Sequence, residues 1–171
     1  VMGFGKKITI DVTPDGLCEV RDFGRGIPLG KLLDCAAKIN TGAKYDSDAF
    51  KKSVGLNGVG IKAVNALSDF FEIQAYRDGE TRSYQFCRGK ELPKGRKDGA
   101  TEEPNGTRTA FHADPDIFPV TTQFRPEYIE KMCRYYSYLN KGLALHFNGR
   151  RYVSKNGLLD LLSLIHISEP T

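Results

Sequence analysis

Apolar and polar residues alternate from Lys7 to Val12 (K-I-T-I-D-V) and again from Leu17 to Asp22 (L-C-E-V-R-D), with Pro14-Asp15-Gly16 between the two runs. A period of two on either side of a turn predicts an antiparallel hairpin. The period then changes: apolar residues at 29, 32, 33, 36, 37 and 39 predict a helix over 29–39, with Pro28 near its first turn, where a missing N–H costs nothing. From 40 to 57 the periodicity vanishes and Gly, Lys, Asp and Ser dominate, as in loops that serve as lids or binding loops.

Helical spacing resumes over 61–67, and the runs 70–76 (F-F-E-I-Q-A-Y) and 83–86 (S-Y-Q-F) flank Arg77-Asp78-Gly79-Glu80 as a second hairpin. The polar stretch from Lys90 to Asn105 reads as a solvated excursion before a strand over 107–112. Apolar residues at 129, 132, 136 and 139 predict a helix from Pro126 to Leu139, stopped near Gly142. Leu143 to Phe147 and Arg151 to Val153 form a third hairpin across Asn148-Gly149. Strands and helices mixed in this order predict an α/β chain, an α+β two-layer sandwich with a mixed sheet and helices on one face.

Composition narrows the class. A chain of 171 residues with 40% apolar content supports one domain with a core of its own. Lys plus Arg exceed Asp plus Glu by 25 to 21, and the net charge of +4 suits an anionic ligand without demanding a nucleic-acid surface. Cys18, Cys35, Cys87 and Cys133 lack C-x-x-C spacing, which predicts reduced thiols rather than disulfides or zinc. No run approaches the roughly 20 apolar residues of a membrane span. The first residues lack the order of a signal peptide, so a cytoplasmic protein without a membrane partner is expected.

The chemistry concentrates in two glycine clusters. In D-F-G-R-G-I-P at 22–28, the carboxylate of Asp22 stands at a strand end. It can accept from the exocyclic amine of adenine, with a water or hydroxyl bridging to the ring nitrogen. Gly24 and Gly26 leave room for a base and allow positive φ, and Ile27 and Pro28 offer an apolar wall. A strand-end aspartate capping a turn would be spelled with the same letters. The second cluster, Gly55-Leu56-Asn57-Gly58-Val59-Gly60, opens the helix over 61–67, so backbone N–H groups can face phosphate oxygens, with Lys44 and Lys62 as countercharge. Glycine hinges of a lid would read alike.

Other constellations are excluded. Gly30-Lys31 is followed by Leu32 and not by Ser or Thr, which rules out a P-loop. The glycine spacing also differs from the dinucleotide fingerprint. His112, His146 and His166 stand far apart, and His112 and His146 fall in strand patterns that suit structural histidines. No G-x-S-x-G elbow exists. Tyr135, Tyr136 and Tyr138, beside Lys131 and Arg134, sit at helix spacing that fits packing better than base stacking.

D-F-G-R-G-I-P at 22–28, T-G-A-K-Y-D at 41–46, K-K-S-V-G-L-N-G-V-G at 51–60, A-V-N-A-L-S at 63–68 and N-G-T at 105–107 together resemble the ATPase domain of bacterial type IIA DNA topoisomerases. M-G-F-G-K at 2–6 and N-T-G-A-K-Y-D-S at 40–47 are closer to the topoisomerase IV branch than to the gyrase branch. The resemblance implies a Bergerat-type GHKL ATPase fold over residues 1–162. It implies ATP and Mg2+ as cofactors, a homodimer of the ATPase chain, a DNA-cleaving A-type subunit, and DNA held by the full-length enzyme.

Matched residue by residue, Asp22 contacts adenine with Thr107 as its hydroxyl partner through water. Gly24, Gly26, Ile27 and Pro28 wall the pocket, Lys44 lies near the phosphates, and Gly55, Leu56, Asn57, Gly58, Val59 and Gly60 form the lid backbone. Phe23 stands where many relatives carry Asp or Asn. In the family the general-base glutamate and the magnesium-holding asparagine lie upstream of the first glycine motif. The chain is therefore expected to be N-terminally truncated, without a catalytic residue of its own and unable to turn over alone. Residues 164–171 resemble translated sequencing-adapter read-through, so 163–171 is expected to be a non-native tail. Another GHKL module, from a chaperone, histidine kinase or mismatch-repair ATPase, shares the D-x-G-x-G letters but should lack the lid wording.

Overall fold

The computed structural model describes residues 5–37, 59–119 and 123–168, with side chains to 164. Strands β1 (Lys7–Val12) and β2 (Leu17–Asp22) form the first hairpin, pairing Ile8 with Asp22 and Val12 with Cys18. A 3-10 turn at Leu29–Lys31 leads into α1 (Leu32–Ala37), and α2 spans Gly60–Ala66. The long hairpin of β3 (Ser68–Arg77) and β4 (Glu80–Cys87) follows, then β5 (Lys90–Ala100) and β6 (Gly106–Ala113). The chain continues with α3 (Pro126–Leu139), β7 (Ala144–Phe147), β8 (Arg150–Tyr152) and α4 (Leu158–Ser168). α4 runs across position 163.

All strands among the described residues join one eight-stranded sheet of order β5-β4-β3-β6-β2-β1-β7-β8. It is mixed, because β1 and β7 run parallel while the other neighbours are antiparallel. Paired residues share a face, and the registers place Phe71, Phe86, Phe111, Cys18, Val12 and Ile10 with Phe147 on a single side. Helices α1 and α2 bury one end of that side around Leu32, Ala36, Phe71, Ile73 and Phe86. Helix α3 buries the other end around Cys133, Leu145, Phe147 and Tyr152. The predicted mixed sheet with helices on one face is therefore the observed one.

The opposite face carries a polar row. Arg108 bridges Glu19 of β2 at 2.6 Å and Glu72 of β3 at 2.5 Å, and Gln85 of β4 donates to Glu72 at 2.6 Å. These partly exposed groups tie four adjacent strands on the face that the described helices α1, α2 and α3 leave uncovered.

The excursion expected over Lys90–Asn105 is corrected: residues Lys90–Ala100 form β5, paired with β4. Every side chain there except the position of Gly95 is exposed. An edge strand bears charges on both sides, which protects the open edge and erases the apolar alternation by which strands are read. The β4–β5 turn, Arg88-Gly89, is left-handed at φ 51° and 79°, like the anticipated turns Asp78-Gly79 and Asn148-Gly149. The helix predicted over 29–39 begins as the 3-10 turn, and α1 is described only to Ala37.

Candidate functional site

Asp22 ends β2 on the helix-covered face, since it pairs with Ile8, which packs against the α3 cluster. The β2–β6 register matches Arg21 with Arg108, so one further step sets Asp22 against Thr107. Thr107 in turn lies beside Ala75 of β3, a member of the core under α1 and α2. Two oxygen-bearing side chains thus stand on one face at the ends of adjacent strands.

The glycine loop closes over this corner. The N–H of Gly24 donates to Asp22 Oδ1 at 2.9 Å, and the N–H of Ile27 donates to Thr107 Oγ1 at 3.4 Å. The bond from the Gly24 amide orients the Asp22 carboxylate through Oδ1. Ile27 packs on the core cluster beside Leu32 and supplies the apolar wall, whereas Pro28 is exposed and opens the 3-10 turn by accepting the Lys31 N–H at 2.9 Å.

Gly26 has φ +75°, and a Cβ there would lie 2.4 Å from the carbonyl oxygen of Tyr76. Contact of chain on chain requires this glycine, quite apart from room for a ligand. Arg77 Nη1 donates to the Gly26 carbonyl at 3.0 Å and anchors the same loop to the β3–β4 turn.

Helix α2 packs Ile61 and Val64 against the cluster that also receives Ile27 and Leu29. Gly60, its first residue, and the exposed Val59 before it therefore lie on the same side of the sheet as Asp22. Lys44, Gly55, Leu56, Asn57 and Gly58 lie outside the described residues, so the structure reports on the phosphate half of the predicted site only through Val59 and Gly60.

Several groups that contribute to the corner carry no signal as ligand residues in the sequence. Arg21, on the opposite face of β2, is buried, stacks on Phe23 and Tyr76, and donates to the carbonyls of Asp22 and Pro104 at 2.5 and 2.7 Å. Alternation announces only that it points away from Asp22. Gly106 is legible as part of N-G-T, but its reason is visible only in three dimensions: its φ is +148° and a Cβ would lie 2.1 Å from the Asp22 carbonyl oxygen.

Two further titratable groups, Cys18 and His112, fit structural roles. Burial pushes the Cys18 thiol up to about 11, so it stays protonated and is no nucleophile at neutral pH. His112 Nδ1 faces Asp69 Oδ1 at 2.8 Å and Nε2 faces the Asp15 carbonyl at 3.1 Å. Among the described residues no three His, Cys, Asp or Glu are grouped to hold a metal. Two cavities, about 240 Å³ under α3 and about 470 Å³ beside the β1–β2 turn, do not include Asp22.

The fold is the GHKL-type α/β fold of the gyrase B ATPase domain. It superimposes with a TM-score of 0.79 on the 43K ATPase domain of Thermus thermophilus gyrase B in complex with an aminocoumarin, at 24% identity, covering 98% of this chain and 45% of that one. Homologues of the chain carry the names of two bacterial topoisomerase components. It is 42% identical over 163 residues to the B subunit of DNA topoisomerase 4 from Borreliella burgdorferi, covering 95% of this chain and 26% of the relative. It is 35% identical over 156 residues to the B subunit of DNA gyrase from Mycobacterium tuberculosis, covering 87% and 23% respectively. The chain thus spans about a quarter of the length of these relatives. No family model matches it.

Proposed function

We propose that the chain is the ATP-binding part of the B component of an ATP-dependent type IIA DNA topoisomerase, closer to topoisomerase IV than to gyrase. The observation that carries this reading is the Asp22 carboxylate, held through Oδ1 by the Gly24 amide, at the strand end one register step from Thr107. An acceptor next to a hydroxyl that both donates and accepts complements the amine and ring nitrogen of adenine. Guanine presents a carbonyl in place of that amine and would face the carboxylate with a second acceptor.

ATP supplies the driving reaction in this reading, and binding closes a homodimeric clamp through which DNA passes, with an A-type subunit cutting the duplex. Mg2+ would be held, as the family resemblance implies, by an asparagine upstream of the first glycine motif. Residues 1–162 act as the ATP-binding domain. Among the described residues no helix is long and apolar enough to cross a membrane, which is compatible with the cytoplasm. Titrating the chain with ADP and with GDP, followed by amide chemical shifts, tests the reading. Shifts around Gly24 and Thr107 with ADP, and at least about tenfold weaker binding of GDP, are expected; equal affinities overturn it.

A further inference from the structure

Arg21 is 8% exposed, yet among the described residues no carboxylate pairs with it. Its guanidinium lies between two rings, 4.6 Å from the centroid of Phe23 and 4.3 Å from that of Tyr76. Nη1 donates to the Asp22 carbonyl at 2.5 Å and Nη2 to the Pro104 carbonyl at 2.7 Å. Burying a cation without a counter-ion is unfavourable unless fixed dipoles and ring faces replace its water.

The two carbonyls belong to the chain segments that carry the site. One is that of Asp22 itself, at the end of β2; the other is three residues before Thr107, at the entry to β6. A rigid, planar fork holding both fixes the distance between the two strand ends. Gly106 leaves the passage for it, since a Cβ there would lie 2.3 Å from Nη1. Lys7 Nζ stands 5.5 Å from the Phe23 ring, so this ring also meets a second cation. Phe23, the departure from the Asp or Asn expected at its position, thus has a partner that explains it.

From this geometry we infer that Arg21 is a positioning residue. Acting from the uncovered face of the sheet, it sets Asp22 relative to Thr107 and so sharpens the preference for a 6-aminopurine over a 6-oxopurine. The inference rests on the reading of Asp22 as the purine-contacting group. Arg21 touches no ligand; it acts through the backbone of the residues that do.

The test compares Kd values for ADP and inosine diphosphate, whose 6-position is a carbonyl, in the wild-type chain and in Arg21→Gln, together with hydrogen exchange of the Gly24 amide. Loss of the fork should cut the preference for ADP about fivefold or more, through weaker ADP binding with inosine diphosphate little changed. Gly24 exchange should accelerate while the amide of Ile73, in the core of β3, stays protected. A purely structural role would weaken both nucleotides alike. Arg21→Lys keeps the charge without the fork and should behave like Arg21→Gln; full recovery of selectivity by lysine overturns the inference.

If Arg21→Gln does not fold, Tyr76→Leu removes one stacked ring and should lower the preference in the same direction by about twofold; an unchanged preference there overturns the inference. Asp22→Asn keeps the two readings apart. Unchanged ADP affinity in that variant removes Asp22 from the site, and Gly24 exchange in Arg21→Gln still decides whether Arg21 holds the strand end. Weakened ADP binding there, with Arg21→Gln indistinguishable from wild type, overturns the role of Arg21 alone.

Discussion

The backbone N–H of Gly24 points at Oδ1 of Asp22 from 2.9 Å, so the loop that follows β2 folds back to orient the carboxylate that ends the strand. In Asp22→Asn the amide oxygen can keep the Gly24 bond, which turns the Nδ2 donor outward. A donor would then meet the adenine amine, itself a donor. ADP affinity should fall by about 1–3 kcal/mol with little change in unfolding temperature. Calorimetric or chemical-shift titration checks it, and an unaltered Kd rejects the placement.

Gly106→Ala should be severe although it removes nothing. The new methyl would stand 2.1 Å from the Asp22 carbonyl oxygen and 2.3 Å from Arg21 Nη1, at a φ of +148° that L residues rarely adopt. The first obstacle is backbone, so no rotamer change relieves it. A loss of at least about 2 kcal/mol in urea unfolding is expected; a loss below a few tenths would mean that the β2 and β6 ends separate freely.

The limits of the sequence follow from which interactions are local. β1 and β2, α3 and the Asn148-Gly149 hairpin are legible because each depends on a short-range period or a turn residue with positive φ. β5 is not, because a charged edge strand buries no side chain and shows no alternation. The sheet order is equally hidden: the parallel pairing of Ile8 with Leu145 and Ile10 with Phe147 joins distant segments with no motif announcing it. At the candidate site, Asp22, Ile27 and Thr107 are legible by type, and the β2–β6 register and the Ile27 amide bond bring them to one corner of the sheet. The fork of Arg21 onto Asp22 and Pro104 is not, since alternation gives a direction and no partner.

Core energetics can be tested at Phe71, which is fully buried and packs edge-on against Phe86 at 5.9 Å between centroids. Its ring lies where α1 and α2 sit on β3 and β4. Phe71→Ala should cost about 3–5 kcal/mol through lost transfer energy and the cavity left behind. Because this cluster also seats Ile27, the Ile27 methyl resonances should shift in the same variant. A cost near 1 kcal/mol, measured by denaturant unfolding, would show that the helices do not close over that end of the sheet.

His112 gives the chain a pH dependence whose sign is set by its neighbours. Asp69 opposes one ring nitrogen and the Asp15 carbonyl the other, so both positions favour a donor and the doubly protonated ring. Asp69 sits where the β3–β6 register shifts between Ser68 and Phe70, and this irregularity brings the carboxylate to the ring. The hydrogen bond to Asp69, opposed by partial burial, raises the His112 pKa above its ordinary 6.5. A raised folded-state value means that the stabilisation is fully present below pH 6.5 and is lost as pH rises through the higher folded value. The stability difference between wild type and His112→Gln should therefore be greatest on the acid side of neutrality and shrink towards alkaline pH. Urea unfolding across that range measures it, and a difference that grows with pH would show that the ring is held neutral between its two acceptors.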